Sequence, residues 1–121
     1  MNRFVIPDRL PGMNEIINEN RRGWQSGARL KKDTDRFIRF CIRNAVNRGE
    51  LWPVRGQVDI HIEWQEKLGL RDPDNVFAGV KFILDAMVAE KIIKGDTYKY
   101  VSGISNQYIK GEKDQVIVTI N

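Results

Sequence analysis

The chain has 121 residues, 30% of them charged, with a formal net charge of +4 and a single cysteine. That length suits one compact domain over residues 1–121 that buries a core without covalent staples, and a lone cysteine excludes an intrachain disulfide. No apolar run approaches the roughly 20 residues of a membrane span, and the apolar patch before Pro7 is too short for a signal peptide; the expectation is a soluble, cytoplasmic protein that binds no membrane.

In chain order, RFVI at 3–6 reads as a short strand ended by Pro7. LPGMNEIINENRRG begins with turn residues and supports a short helix from about Asn14 to Arg21. GWQSG at 23–27 reads as a flexible break, with Trp24 exposed. The longest helical pattern follows, from about Ala28 to Asn47, with Leu30, Phe37, Cys41 and Ala45 as its core-facing stripe. Cys41 is then a buried structural thiol.

Charge is unevenly spread along this first part. Residues 1–50 hold eleven Lys or Arg against six Asp or Glu. On the long helix Arg29, Lys32, Arg36, Arg39 and Arg43 recur at steps of three or four, a basic stripe. It is either a solvated face balanced by Asp33 and Asp35 or a track for phosphates, which the donor fork of arginine suits.

QVDIHIEW at 57–64 alternates, placing Val58, Ile60, Ile62 and Trp64 on one face and Asp59, His61 and Glu63 on the other. That is a half-buried strand, and it makes the single histidine a surface residue rather than a metal ligand. A helix over about Asp74 to Ala89 comes next, then YKYVSGISNQYI and DQVIVTIN as two closing strands, antiparallel across a turn near Gly111. The order β-α-α-β-α-β-β gives a mixed α/β (α+β) domain, one sheet packed against helices.

The chemistry concentrates in RDPDN at 71–75 and the helix behind it. Read singly, Asp72 caps a helix, Pro73 fits its first position and Asp74 favours the positive end of the dipole. The rest of the helix asks for more. It is apolar almost all round, yet Asp74, Ala78, Lys81 and Asp85 share one face. A charged stripe on a buried helix is costly unless its members pair or bind an ion. Two neighbouring carboxylates share a proton unless a cation neutralises them, and Mg²⁺ takes few protein carboxylates together with waters and phosphate oxygens. Asp96, in the turn of IIKGDTYKY, is the candidate for a third carboxylate; otherwise it is a turn residue.

RDPDN at 71–75, KFILDAM at 81–87 and KGDTYKYV at 94–101 together resemble the RusA-type Holliday junction resolvases of prophages and bacteria, and LPGMNE at 10–15 is similar to that family's early Pro-x-x-Asn region. The resemblance implies that Asp72, Asp74 and Asp96 coordinate Mg²⁺, with Mn²⁺ able to substitute, and that Lys81 matches the catalytic lysine. Relative to the family's best-known pattern Lys81 stands about one helical turn farther from Asp74, a shift that nearly preserves the helix face. The resemblance also implies a homodimer that resolves four-way DNA junctions by paired nicks during recombination and repair. The DNA contacts then fall to Lys32, Arg36, Arg39, Arg43, Arg71 and Asn75. The rival readings are a nuclease for other branched DNA, such as flaps or forks, and a non-catalytic DNA-binding module.

Overall fold

The computed structural model describes residues 1–121. Its elements are β1 (Arg3–Ile6), α1 (Met13–Arg22), α2 (Trp24–Asn47), β2 (Val58–Glu66), α3 (Pro73–Phe77), α4 (Val80–Ala89), β3 (Val101–Lys110) and β4 (Gln115–Ile120). The strands form one mixed sheet in the order β1-β4-β2-β3. The architecture is α+β, as the element order implies.

The half-buried strand reads as the alternation says: Ile60, Ile62 and Trp64 are buried, whereas Asp59, His61 and Glu63 lie on the open face. There His61 Nδ1 meets Ser105 Oγ at 2.6 Å. The closing strands depart from expectation. They are not a hairpin: β4 pairs antiparallel with both β1 and β2, and β3 pairs with β2 in parallel on its other side. Composition explains the choice. β4 alternates strictly and buries Val116, Val118 and Ile120, so it takes a central place. β3 exposes Ser102, Ser105 and Gln107 and suits an edge. A parallel β2–β3 pair needs a crossover connection, and α3 and α4 supply it.

The core is one cluster of 22 buried residues between the sheet and α2 and α4. On α2 the buried stripe is Thr34, Ile38, Cys41, Ile42 and Ala45; Leu30 and Phe37 lie at its margin, half-buried. Burial pushes the Cys41 thiol pKa up, so it stays a protonated, unreactive core residue.

Two helix boundaries correct the sequence reading. GWQSG is no loop, because α2 begins at Trp24 and Gly23 alone leaves helical space, at φ 142°. A Cβ on Gly27 would stand 2.0 Å from Asn20 Oδ1, so Gly27 lets α1 and α2 approach closely. The expected single helix over 74–89 is two, broken at Ala78–Gly79. Gly79 lies under the buried Trp64 ring, where a Cβ would come within 2.9 Å of Cη2. Trp64, which also packs on Phe77 with centroids 6.1 Å apart, fixes the chain at this break.

Candidate functional site

The RDPDN turn follows β2 and is clamped from both ends. Glu66, the last residue of β2, is buried and accepts hydrogen bonds from Arg71 Nε at 2.9 Å, from Arg71 Nη2 and from the Tyr108 hydroxyl at 3.0 Å. Arg71 Nη1 donates to the Leu10 carbonyl at 3.0 Å. Burial, and then the bond to Glu66, raise the Tyr108 pKa, so its phenol stays a donor. Asn75 Oδ1 accepts from the Asn14 backbone N–H at 2.9 Å, and thereby caps α1 across the fold. The cap position of α1 itself is Gly12, which has no side chain to offer.

Arg71 and Asn75 both fall among the expected DNA contacts. The Arg71 guanidinium is instead committed inside the fold, its side chain 11% exposed, and Asn75 spends its Oδ1 on the Asn14 N–H. What they do is pin residues 10–14 to the turn.

Between these anchors stand Asp72 and Asp74, both exposed. Asp72 occupies the N-cap of α3, with Pro73 behind it, but makes no side-chain cap bond. Neither carboxylate takes part in any hydrogen bond or ion pair within the chain; the cap reading therefore leaves them without a partner.

Lys81 and Asp96 do come together. Lys81 Nζ lies 2.9 Å from Asp85 Oδ1, one turn on along α4, and 3.3 Å from Asp96 Oδ2 in the following loop. That loop is held at several points: Glu90 at its start is gripped by Arg39 and Arg43, Ile92 and Ile93 are buried, and Gly95 packs against the Tyr100 ring. The bonds to Asp85 first, and then to Asp96, raise the Lys81 pKa. The amine is thus a fixed cation at physiological pH and cannot serve as a general base.

The expected three-carboxylate site is absent from this arrangement: no three Asp, Glu, His or Cys side chains stand together closely enough to hold a metal ion. Asp96 is turned to the Lys81 ammonium, whose single charge it shares with the nearer Asp85. The break at Gly79 separates α3, which carries Asp74, from α4, which carries Lys81. Mg²⁺ remains compatible with Asp72 and Asp74, because two unpaired carboxylates with waters and phosphate oxygens make up its usual donor set.

The basic stripe divides. Arg39 and Arg43 hold Glu90, with Arg39 Nε at 2.7 Å and Arg43 Nη2 at 2.9 Å from Oε2, and Arg39 also meets Asp35 at 3.5 Å. Their charge is locally balanced, and Glu90 titrates below the usual carboxylate range chiefly because Arg43 donates to it. Arg29, Lys31, Lys32 and Arg36 are exposed and have no ion pair. Lys31 and Lys32 line one groove with Asp85 and Phe82, of about 310 Å³, so the free end of the stripe adjoins the Lys81 cluster. Sequence reasoning alone does not pick out Asp85 or Lys31 as site residues. The shared helix face of Lys81 and Asp85 is the available signal for the first, and nothing in the spacing marks the second. No protein-family model matches this chain, and no curated protein matches it.

Proposed function

We propose that the protein is a Mg²⁺-dependent, structure-specific endodeoxyribonuclease of the cytoplasm that acts as a homodimer on branched DNA, resolving four-way junctions by paired nicks. The observation that carries this reading is the meeting of Lys81 with Asp96, fifteen residues apart, beside a groove where the unpaired cations Lys31 and Lys32 face Asp35 and Asp85. Asp72 and Asp74 lie exposed and unengaged, free to take a ligand from outside the chain.

Asp72 and Asp74 would hold Mg²⁺, or Mn²⁺ in its place. When bound, the ion supplies a water of lowered pKa and positive charge against a phosphodiester under attack. Lys81 adds a permanent cation, which Asp85 and Asp96 hold in position and which neutralises charge developing on phosphate oxygens. Lys32 and Arg36 bind the backbone on the flank. Glu66, Arg71 and Asn75 keep the turn rigid, so that the two carboxylates are presented at a constant angle.

The test is a labelled four-way junction incubated with and without Mg²⁺, beside forked, flapped and plain duplex DNA. Paired nicks in the junction that require Mg²⁺, and that disappear in Asp72→Asn and Asp74→Asn while binding persists, support the proposal. Preference for flaps or forks moves the substrate to the first rival reading. Undiminished cleavage in Asp74→Asn, or no cleavage of any of these DNAs, sinks the site.

A further inference from the structure

Trp24 is 79% exposed at the first position of a helix otherwise well tied to its surroundings. Gly23 sets the chain turn, Ser26 Oγ donates to Glu19, and Gly27 packs against Asn20, so the α1–α2 corner fixes the backbone at Trp24 while its indole projects into solvent. A shallow, open groove formed by α2 alone lies beside it, lined also by Arg29, Lys32 and Arg36, with Asp33 its one acid. These three cations lack ion-pair partners, in contrast to Arg39 and Arg43 farther along the helix.

We propose that this groove binds single-stranded DNA, with the Trp24 indole stacked on an unpaired base and Arg29, Lys32 and Arg36 on the flanking phosphates. An exposed aromatic ring beside unpaired cations is the combination that single-strand-binding surfaces use, since every base has a face to stack and every linkage a charge. Paired bases are already stacked on their neighbours and leave nothing for the ring. From Trp24 to Arg36 the helix runs about 18 Å, room for several nucleotides. A second copy of the chain suits the groove less well, because the same three cations would be desolvated and left with one carboxylate. The inference deepens the nuclease reading, which supplies the class of ligand, by placing unpaired nucleotides at the branch on α2, next to the groove lined by Asp85, with which it shares Lys32.

The experiment titrates a 12-residue oligothymidylate into the full chain carrying Trp52→Phe, in EDTA, following tryptophan fluorescence. Trp64 is buried, so Trp24 then provides the signal that solvent or a base can quench. Quenching is expected in this chain, and affinities of all variants, read by the fluorescence anisotropy of a dye-labelled oligothymidylate, should fall about 5- to 150-fold in Trp24→Ala and far less in Trp24→Phe. Arg29→Gln or Lys32→Gln should reduce the slope of log affinity against log salt by roughly 0.7 each. The indole packs against little, so these variants should melt with the parent.

Any of three results would overturn the proposal: no quenching, equal affinity in Trp24→Ala, or equal competition by polyglutamate of matched charge. So would conversion of a sedimenting dimer to monomer by Trp24→Ala without DNA, since the ring would then belong to an interface. No metal is present in this assay, so its failure leaves the cleavage test untouched, and the reverse also holds.

Discussion

Replacing Arg71 by methionine keeps most of the side-chain volume but removes every donor to Glu66 except the Tyr108 hydroxyl. Glu66 is 5% exposed, so its carboxylate would be left buried with one neutral partner. Removing one member of a buried ion pair costs about 3–5 kcal/mol, and the lost bond to the Leu10 carbonyl adds to this. For a chain of this size, at about 4 °C per kcal/mol, Tm should fall by ~12–20 °C. The measurement is thermal unfolding by circular dichroism of wild type, Arg71→Met, Glu66→Gln and the double variant. The double variant should recover ~2 kcal/mol relative to the sum of the singles, because it no longer buries a lone charge. A surface phosphate ligand would behave differently: Arg71→Met would melt within about 2 °C of wild type, while the log–log salt slope of DNA binding dropped by roughly 0.9. That outcome would refute a structural role for the arginine.

Gly12→Ala should destabilise by about 1–3 kcal/mol, since its Cβ would stand 2.5 Å from Asn75 Oδ1 and 2.7 Å from Arg71 Nη1, both held in place; urea melts measure it. Asn75→Ala should cost about 1 kcal/mol, the usual loss for a helix cap, read in the same melts. Glu90→Gln should lower Tm at neutral pH, and the difference from wild type should close in acid. The folded-state pKa of Glu90 is depressed below the ordinary glutamate value of 4.5. Its stabilisation is therefore fully present above that value and is lost as pH falls through the lower, folded one. Melts at pH 7 and pH 3 check the sign, and a gap that widens in acid would contradict it. Lys81→Met should abolish junction cleavage with little change in affinity, whereas Lys81→Arg should retain part of the rate because the positive charge remains; single-turnover kinetics separate the two effects.

Periodicity carries the fold a long way. The alternation in 58–64 correctly assigns each face of β2, and the extended pattern through Asn47 locates α2. Pairing partners are less legible. A hairpin is the local solution for two consecutive strands, but β4 has the more apolar inner face and is drawn between β1 and β2 instead. The split at Gly79 depends on Trp64 reaching it from another element, a contact with no trace in the helical spacing. At the site, the sequence groups Asp96 with Asp72 and Asp74 as ligands and gives no sign of its ion pair with Lys81. The commitments of Arg71 and Asn75 are equally hidden, because a basic residue before an acidic turn looks the same whether it meets a phosphate or a buried glutamate. Likewise, Arg39 and Arg43 fall on the same periodic stripe as Arg36, and only folding reveals that Glu90 waits beside them.

The place of β4 has a consequence for synthesis. β1 pairs with β4 and with no other strand, Arg3 lying opposite Thr119. While a ribosome still holds residues 115–120, β1 lacks its neighbour and one edge of β2 is bare. Such distant pairing closes slowly, and unpaired edges invite other chains. A nascent copy therefore stays open to chaperones, and to aggregation, until its sheet can be filled from the middle.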